Sequence, residues 1–178
     1  TLRSHFATSV NLNTNPSEFM RLSIGSLLRS RLLPNVYLDW QVELGGGMKL
    51  PGLFKFFLSD LRSFEGVKGF PYPGNFKLLV KTALTLPLRR ELNYNIANVI
   101  MLDRTDQALF VAAGNTWQSL NQLDLSDLKV EIGFELSLQG RTLGGLFPVA
   151  LKWGFAYSIV GAPEPQGRPY IELQIPLL

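Results

Sequence analysis

His5 is the only histidine of the chain, and Ser4 and Ser9 are the serines near it in sequence. Histidine beside serine is the pairing of small acyl-modifying enzymes, in which the imidazole takes the hydroxyl proton. Adjacent residues of a strand face opposite sides, which removes Ser4. Ser9 shares the face of His5 but lies two side-chain repeats away, too far for a direct hydrogen bond. His5 therefore reads as an ordinary polar residue at the start of a strand. Glu131 and Glu135 form the second candidate pair, four residues apart on one strand face. That spacing separates them by roughly 13–14 Å, beyond the reach of paired-carboxylate glycoside chemistry. They read instead as lumenal charges that answer Lys129, Lys77 or Lys81. Gly45-Gly46-Gly47 lacks the Lys-Ser/Thr sequel of a phosphate loop and reads as a turn. With no cysteine and one histidine, thiol catalysis, disulfides and thiolate metal sites are excluded. No enzyme activity, cofactor or metal is expected.

The elements that carry these residues are strands. From Leu128 to Leu138 the chain alternates without a fault: Leu128, Val130, Ile132, Phe134, Leu136 and Leu138 against Lys129, Glu131, Gly133, Glu135 and Ser137. A strand with that pattern has one wholly apolar face, and its length suits a tilted bilayer crossing of roughly 9–11 residues. Leu38–Leu44, Phe76–Leu88, Phe147–Ile159 and Ile171–Leu177 repeat the rule. On Phe147–Ile159 the bulky face opposes a small one of Pro148, Ala150, Lys152, Gly154, Ala156 and Ser158, as a lumen crowded by other side chains favours. The expected strands are 4–13, 19–29, 36–45, 53–62, 75–88, 94–102, 107–114, 127–139, 147–160 and 169–177, with a helical turn or two between Thr116 and Asp127. Turns are marked by Asn13-Thr14-Asn15-Pro16, Gly45-Gly46-Gly47, Pro71-Tyr72-Pro73-Gly74, Gly144-Gly145 and Gly161-Ala162-Pro163. Trp40, Trp117, Trp153, Tyr37, Tyr72, Tyr157 and Tyr170 are candidates for aromatic girdles, with Trp153 and Tyr157 foremost.

The whole is one all-β unit of 178 residues, either a self-contained barrel or the C-terminal half of a larger one. Its hydrophobic content of 46% is ordinary, and no uncharged apolar run reaches the roughly 18 residues of a transmembrane helix. The 17 basic and 14 acidic residues leave +3 with the bases scattered, so no nucleic-acid partner is expected. Without an initiator Met or a charged-then-apolar leader, the chain reads as a mature product or a fragment. Alternation does not disclose which face points inward. A membrane barrel turns the apolar face to lipid, whereas a soluble β-barrel turns it inward to hold an apolar ligand.

Two short segments add a family. Val67-Lys68-Gly69-Phe70 precedes a Pro/Gly turn and the long strand at 75–88. It resembles the Val-Arg-Gly-Tyr/Phe loop of the outer-membrane insertase and bacterial surface antigen superfamily, of barrel-assembly and two-partner-secretion type. Phe110-x-Ala112-x-Gly114, followed by Asn115 and Trp117, is similar to that superfamily's later Phe-x-Asp-x-Gly strand. The resemblance spans residues 60–178 and implies an antiparallel transmembrane β-barrel of the bacterial outer membrane, with about 8–10 strands in this chain. It further implies outer-membrane lipid as surroundings and polypeptide insertion or translocation as the role, or membrane anchoring of a further N-terminal domain. In that superfamily the loop folds into the lumen, and its Arg pairs with the strand Asp. Here Lys68 and Ala112 stand in those places, so the loop keeps a cation while the strand carboxylate is gone. Glu131 and Glu135 then become the partners within reach of Lys68. The superfamily's barrels have sixteen strands, so closure here implies a homodimer, a larger barrel partner or a short self-closed relative.

Overall fold

The computed structural model of the chain describes residues 4–15, 19–48, 50, 55–57, 61, 73–96, 99–142, 147–161 and 167–174. Eight strands follow in order: β1 (Ser4–Asn15), β2 (Phe19–Leu33), β3 (Val36–Met48), β4 (Phe76–Ile96), β5 (Ile100–Trp117), β6 (Lys129–Thr142), β7 (Phe147–Val160) and β8 (Gly167–Gln174). Each pairs antiparallel with the next, giving one meander sheet in the order β1 to β8. Two single-turn 3-10 helices, Leu120–Gln122 and Leu125–Asp127, occupy the connection after β5. Among the described residues no ladder joins β1 to β8, so the sheet is open at both edges rather than a closed barrel.

The sheet nonetheless curls. A cavity of about 230 Å³ is lined on one face by residues of six successive strands, from Leu27 and Arg29 on β2 to Lys152 on β7. Side-chain size explains the direction. Across the register, Ala83, Gly133 and Ala156 stand on the concave face in one row with Phe110, while Leu84, Phe134 and Phe155 stand in the next row on the convex face. Small inside and bulky outside lets neighbouring strands fold toward the small face. Irregularities between Arg31 and Leu33, Pro87 and Arg89, Arg90 and Tyr94, and Leu102 and Arg104 add local twist.

Three sequence expectations are corrected. The strand expected at 53–62 is absent in its described part: Phe56 makes only an isolated bridge to Gly74, and Leu61 is packed into the concave face. The separate strand at 94–102 does not exist. Its residues are the tip of one long β4–β5 hairpin, with Ile96 opposite Ile100. Gly45-Gly46-Gly47 is not a turn but the end of β3, paired with Ser23, Leu22 and Arg21 of β2. Gly45 and Gly47 point to the concave side, where a Cβ on Gly45 would stand 2.7 Å from Phe56 Cζ and one on Gly47 2.7 Å from Leu50 Cδ1. These glycines are seats for the connection that follows β3, a close approach that only a missing side chain permits.

Candidate functional site

The concave face is polar and ordered. Arg29 on β2 donates from Nε to Asp39 Oδ1 at 2.6 Å and from an Nη to Asp39 Oδ2 at 2.7 Å, the bidentate fork that suits a carboxylate. Thr85 on β4 donates to the same Asp39 at 2.9 Å. Gln139 on β6 donates to Asp106 of β5 at 3.0 Å. Arg104 Nε lies 3.0 Å from Asp106 Oδ2, but its N–H is not aimed at the carboxylate and makes no hydrogen bond. Lys77 donates to Glu43 at 2.8 Å, and Gln41 donates to the other Glu43 oxygen at 2.9 Å. Alternate residues of a strand share a face, so the same period that lines up the apolar residues outward lines up these charges inward.

Glu135 is the hub of this face. Lys152 Nζ on β7 is 3.2 Å from one carboxylate oxygen, Lys81 Nζ on β4 is 3.9 Å from the other, and the Tyr170 hydroxyl of β8 donates to it at 3.0 Å. Three strands thus converge on one carboxylate of β6: the adjacent β7, and β4 and β8, each two strands away. Lys81 also lies 4.5 Å from the centroid of the Phe110 ring, a cation–π distance. Glu131 stands two concave rows from Glu135, with the Gly133 row between, and lies directly opposite Ala112 on one side and Ser158 on the other. Both Glu131 and Ser158 are 0% exposed. Row by row, the sequence Gln41–Lys81–Ala112–Glu131–Ser158 crosses β3 to β7.

The residues singled out in the strand motif therefore fall together on the concave face. Phe110 and Ala112 are buried there, and Gly114 admits the backbone of β4, since a Cβ would stand 2.7 Å from the Leu78 carbonyl oxygen. Val67, Lys68, Gly69 and Phe70 lie outside the described residues, as do Tyr72 and the side chain of His5. The connection that carries the loop motif reaches this same face through Leu61, which packs against Leu79, Ala83, Phe110, Ala112 and Ala156. Phe56 of that connection lies under Arg21, whose guanidinium carbon is 4.5 Å from the ring centroid.

The convex face is the reverse. Trp40, Leu44, Leu109, Val111, Ile132, Phe134, Leu151, Trp153, Tyr157, Ile171 and Leu173 are all exposed, from 41% to 74%. Trp153 meets Phe134 edge to face at 5.6 Å between centroids. Not every aromatic expected in a girdle stands here. Tyr37 faces the concave side beside Arg29 and Arg90, Tyr170 serves Glu135, and Trp117 is buried and lines one pocket with Leu123 of the connection after β5. That connection is tied down locally: Asp124 accepts the Ser126 backbone N–H at 2.8 Å, which holds its carboxyl below the usual aspartate range. Asn115 donates to the Asp127 carbonyl at 3.0 Å.

No family model, curated protein or solved structure matches the chain.

Sequence reasoning missed Asp39, Arg29, Asp106 and Lys152 because each is a single charge in an alternating strand. The signal that finds them is register, which brings Arg29 opposite Asp39 and Lys152 opposite Ser137. Among the described residues no group of His, Cys, Asp or Glu is placed to hold a metal ion. What the arrangement does chemically is neutralise charge in pairs along the concave face.

Proposed function

We propose that this chain is part of an outer-membrane β-barrel, similar in role to the insertase and surface-antigen superfamily. The observation that carries the reading is inverted polarity. Exposed apolar side chains cover the convex face, and charged side chains, among them the buried Asp106 and Glu131, line the concave one. In water, the exposure of that many large apolar groups on one continuous surface is unfavourable. In lipid it is the favoured state, and alternation with apolar residues outward is the pattern of membrane strands.

The open edges fit this reading only with partners. Unpaired backbone N–H and C=O groups in hydrocarbon cost several kcal/mol each in order of magnitude, so β1 and β8 require further strands. Those strands come from a second copy or from a longer chain, and in either case the eight strands form a sector of a larger wall. The proposed role is non-enzymatic: passage or insertion of polypeptide along the polar concave face, or anchoring of another domain. Glu131 and Glu135 would hold the loop of Val67–Phe70 in place. The loss of the Arg and Asp of the superfamily favours the anchor over the insertase.

A soluble barrel with an apolar ligand needs an apolar interior. The cavity here is lined by Arg29, Asp39, Lys81, Asp106, Glu135 and Lys152, which disfavours it. Native mass measurement with and without detergent tests the proposal. A species that requires detergent, with a protein mass of two or more chains or of a longer chain, is expected. A monodisperse, detergent-free monomer would overturn it.

A further inference from the structure

On the convex face of β2 to β8, register places a single charged residue among the described ones, and the residues beside it are polar. The outward residues of β4 run Phe76, Leu78, Val80, Thr82, Leu84 and Leu86. The irregularity between Pro87 and Arg89 then sets Leu88 out of register and brings Arg89 to the next outward place, opposite Thr105 of β5. Gln107, exposed, is the neighbouring outward residue of β5 and pairs with Leu86. Arg89 is itself exposed and makes no hydrogen bond or ion pair with a described residue. Its neighbour Arg90 points the other way and donates to the Tyr37 hydroxyl at 3.0 Å. The next outward residue after Arg89 is Tyr94, 63% exposed.

We propose that Arg89, with Thr105 and Gln107 beside it, binds the phosphodiester of a phospholipid headgroup. The proposal rests on the membrane reading above. The apolar run from Phe76 to Leu86 matches the roughly 9–11 residues that a tilted strand spends in hydrocarbon. Arg89 follows directly, at the level where an outward cation is tolerated rather than costly. Tyr94 beyond it is of the amphipathic type that settles at headgroup depth. A guanidinium offers two parallel donors to a phosphate, and the threonine hydroxyl and glutamine amide add donors of the same kind. This end of the sheet carries the connections 34–35, 97–99 and 143–146, whereas the long ones, 49–75 and 118–128, lie at the other. Short turns mark the periplasmic side of such barrels, so the headgroup belongs to the periplasmic leaflet.

The test is native mass spectrometry of the detergent-purified protein titrated with didecanoyl phosphatidylglycerol. Didecanoyl glycerol and inorganic phosphate serve as parallel probes. The wild-type protein is expected to retain phosphatidylglycerol but not the phosphate-free lipid. Arg89→Gln should weaken retention about tenfold, the effect of one charge-assisted contact. Arg89→Lys, which keeps the charge and loses the fork, should fall between. Lys55→Gln, at the opposite end, should change nothing. Equal retention by wild type and Arg89→Gln, equal retention of the phosphate-free lipid, or displacement by inorganic phosphate would overturn the site while leaving detergent dependence intact. A detergent-free monomer that takes up no lipid would instead overturn the membrane reading beneath it.

Discussion

Ala112 and Glu131 face each other across β5 and β6, and both are sealed from solvent, at 1% and 0% exposure. Lys81 flanks Ala112 from β4. Where the resembled strand motif has an aspartate, this chain has a methyl group, and the carboxylate stands one strand further along the row. Introducing the aspartate sets like charges directly opposite in a buried place, which is destabilising. Ala112→Asp is expected to lower stability in thermal unfolding, and Ala112→Asp with Glu131→Gln to recover most of it. The coupling between the two sites should be about 1–3 kcal/mol, the range for residues in contact. Additive effects would show that the two positions do not share an environment.

Gly133 carries the ring of Phe110. A Cβ built on it stands 2.5 Å from Phe110 Cζ and also overlaps the Phe155 carbonyl oxygen, which cannot swing aside. Gly133→Ala should therefore cost about 1–3 kcal/mol through overpacking. Adding Phe110→Leu should recover only part of this, because the backbone contact remains. Denaturant midpoints of the wild type and the two variants decide the matter.

Glu135 holds Lys81, Lys152 and Tyr170 at once, with its side chain 11% exposed. Removing it leaves two facing ammonium groups without their shared anion. Glu135→Ala is expected to destabilise by about 3 kcal/mol, the scale for breaking a buried pair from one side. Lys81→Met in the same background should restore part of the loss. An unaltered unfolding midpoint for Glu135→Ala would show the hub to be energetically idle.

The seat of Phe56 on Gly45 ties the connection 49–75 to the concave face. Gly45→Val fills that seat, so Phe56 must leave and Arg21 loses the ring over which it lies. Limited proteolysis should then cut within 49–75 faster than in the wild type, with the β-sheet circular dichroism unchanged. Equal cleavage rates would separate the seat from the docking of the connection.

Much of the sheet was legible because alternation is a local property. β6 and β7 carry it without interruption, and their expected bounds of 127–139 and 147–160 lie within a few residues of Lys129–Thr142 and Phe147–Val160. β4 and β5 were divided wrongly because two irregularities, at Leu88 and at 91–93, break the period just where the hairpin continues. Glu91 and Asn93 adopt positive φ there, a local turn signature that imitates a strand end. The glycine triplet was misread for the same kind of reason. Glycine marks both turns and close approaches, and only the partner, Phe56 or Leu50, tells them apart. Alternation alone left the polarity of the two faces open, because it is symmetric under exchange of inside and outside. Curvature breaks that symmetry, and it arises from the sizes of residues such as Gly133, Ala156 and Phe155 across several strands.

The most direct test of the inverted polarity uses single cysteines, which the cysteine-free sequence permits without background. Val111→Cys and Ile132→Cys report the convex face, and Gln41→Cys and Gln139→Cys the concave one. In phosphatidylcholine vesicles, a bimane label at the convex positions should be quenched by brominated lipid tails and shielded from aqueous iodide. The concave positions should show the opposite. Convex labels quenched by iodide and untouched by brominated lipid would contradict the account.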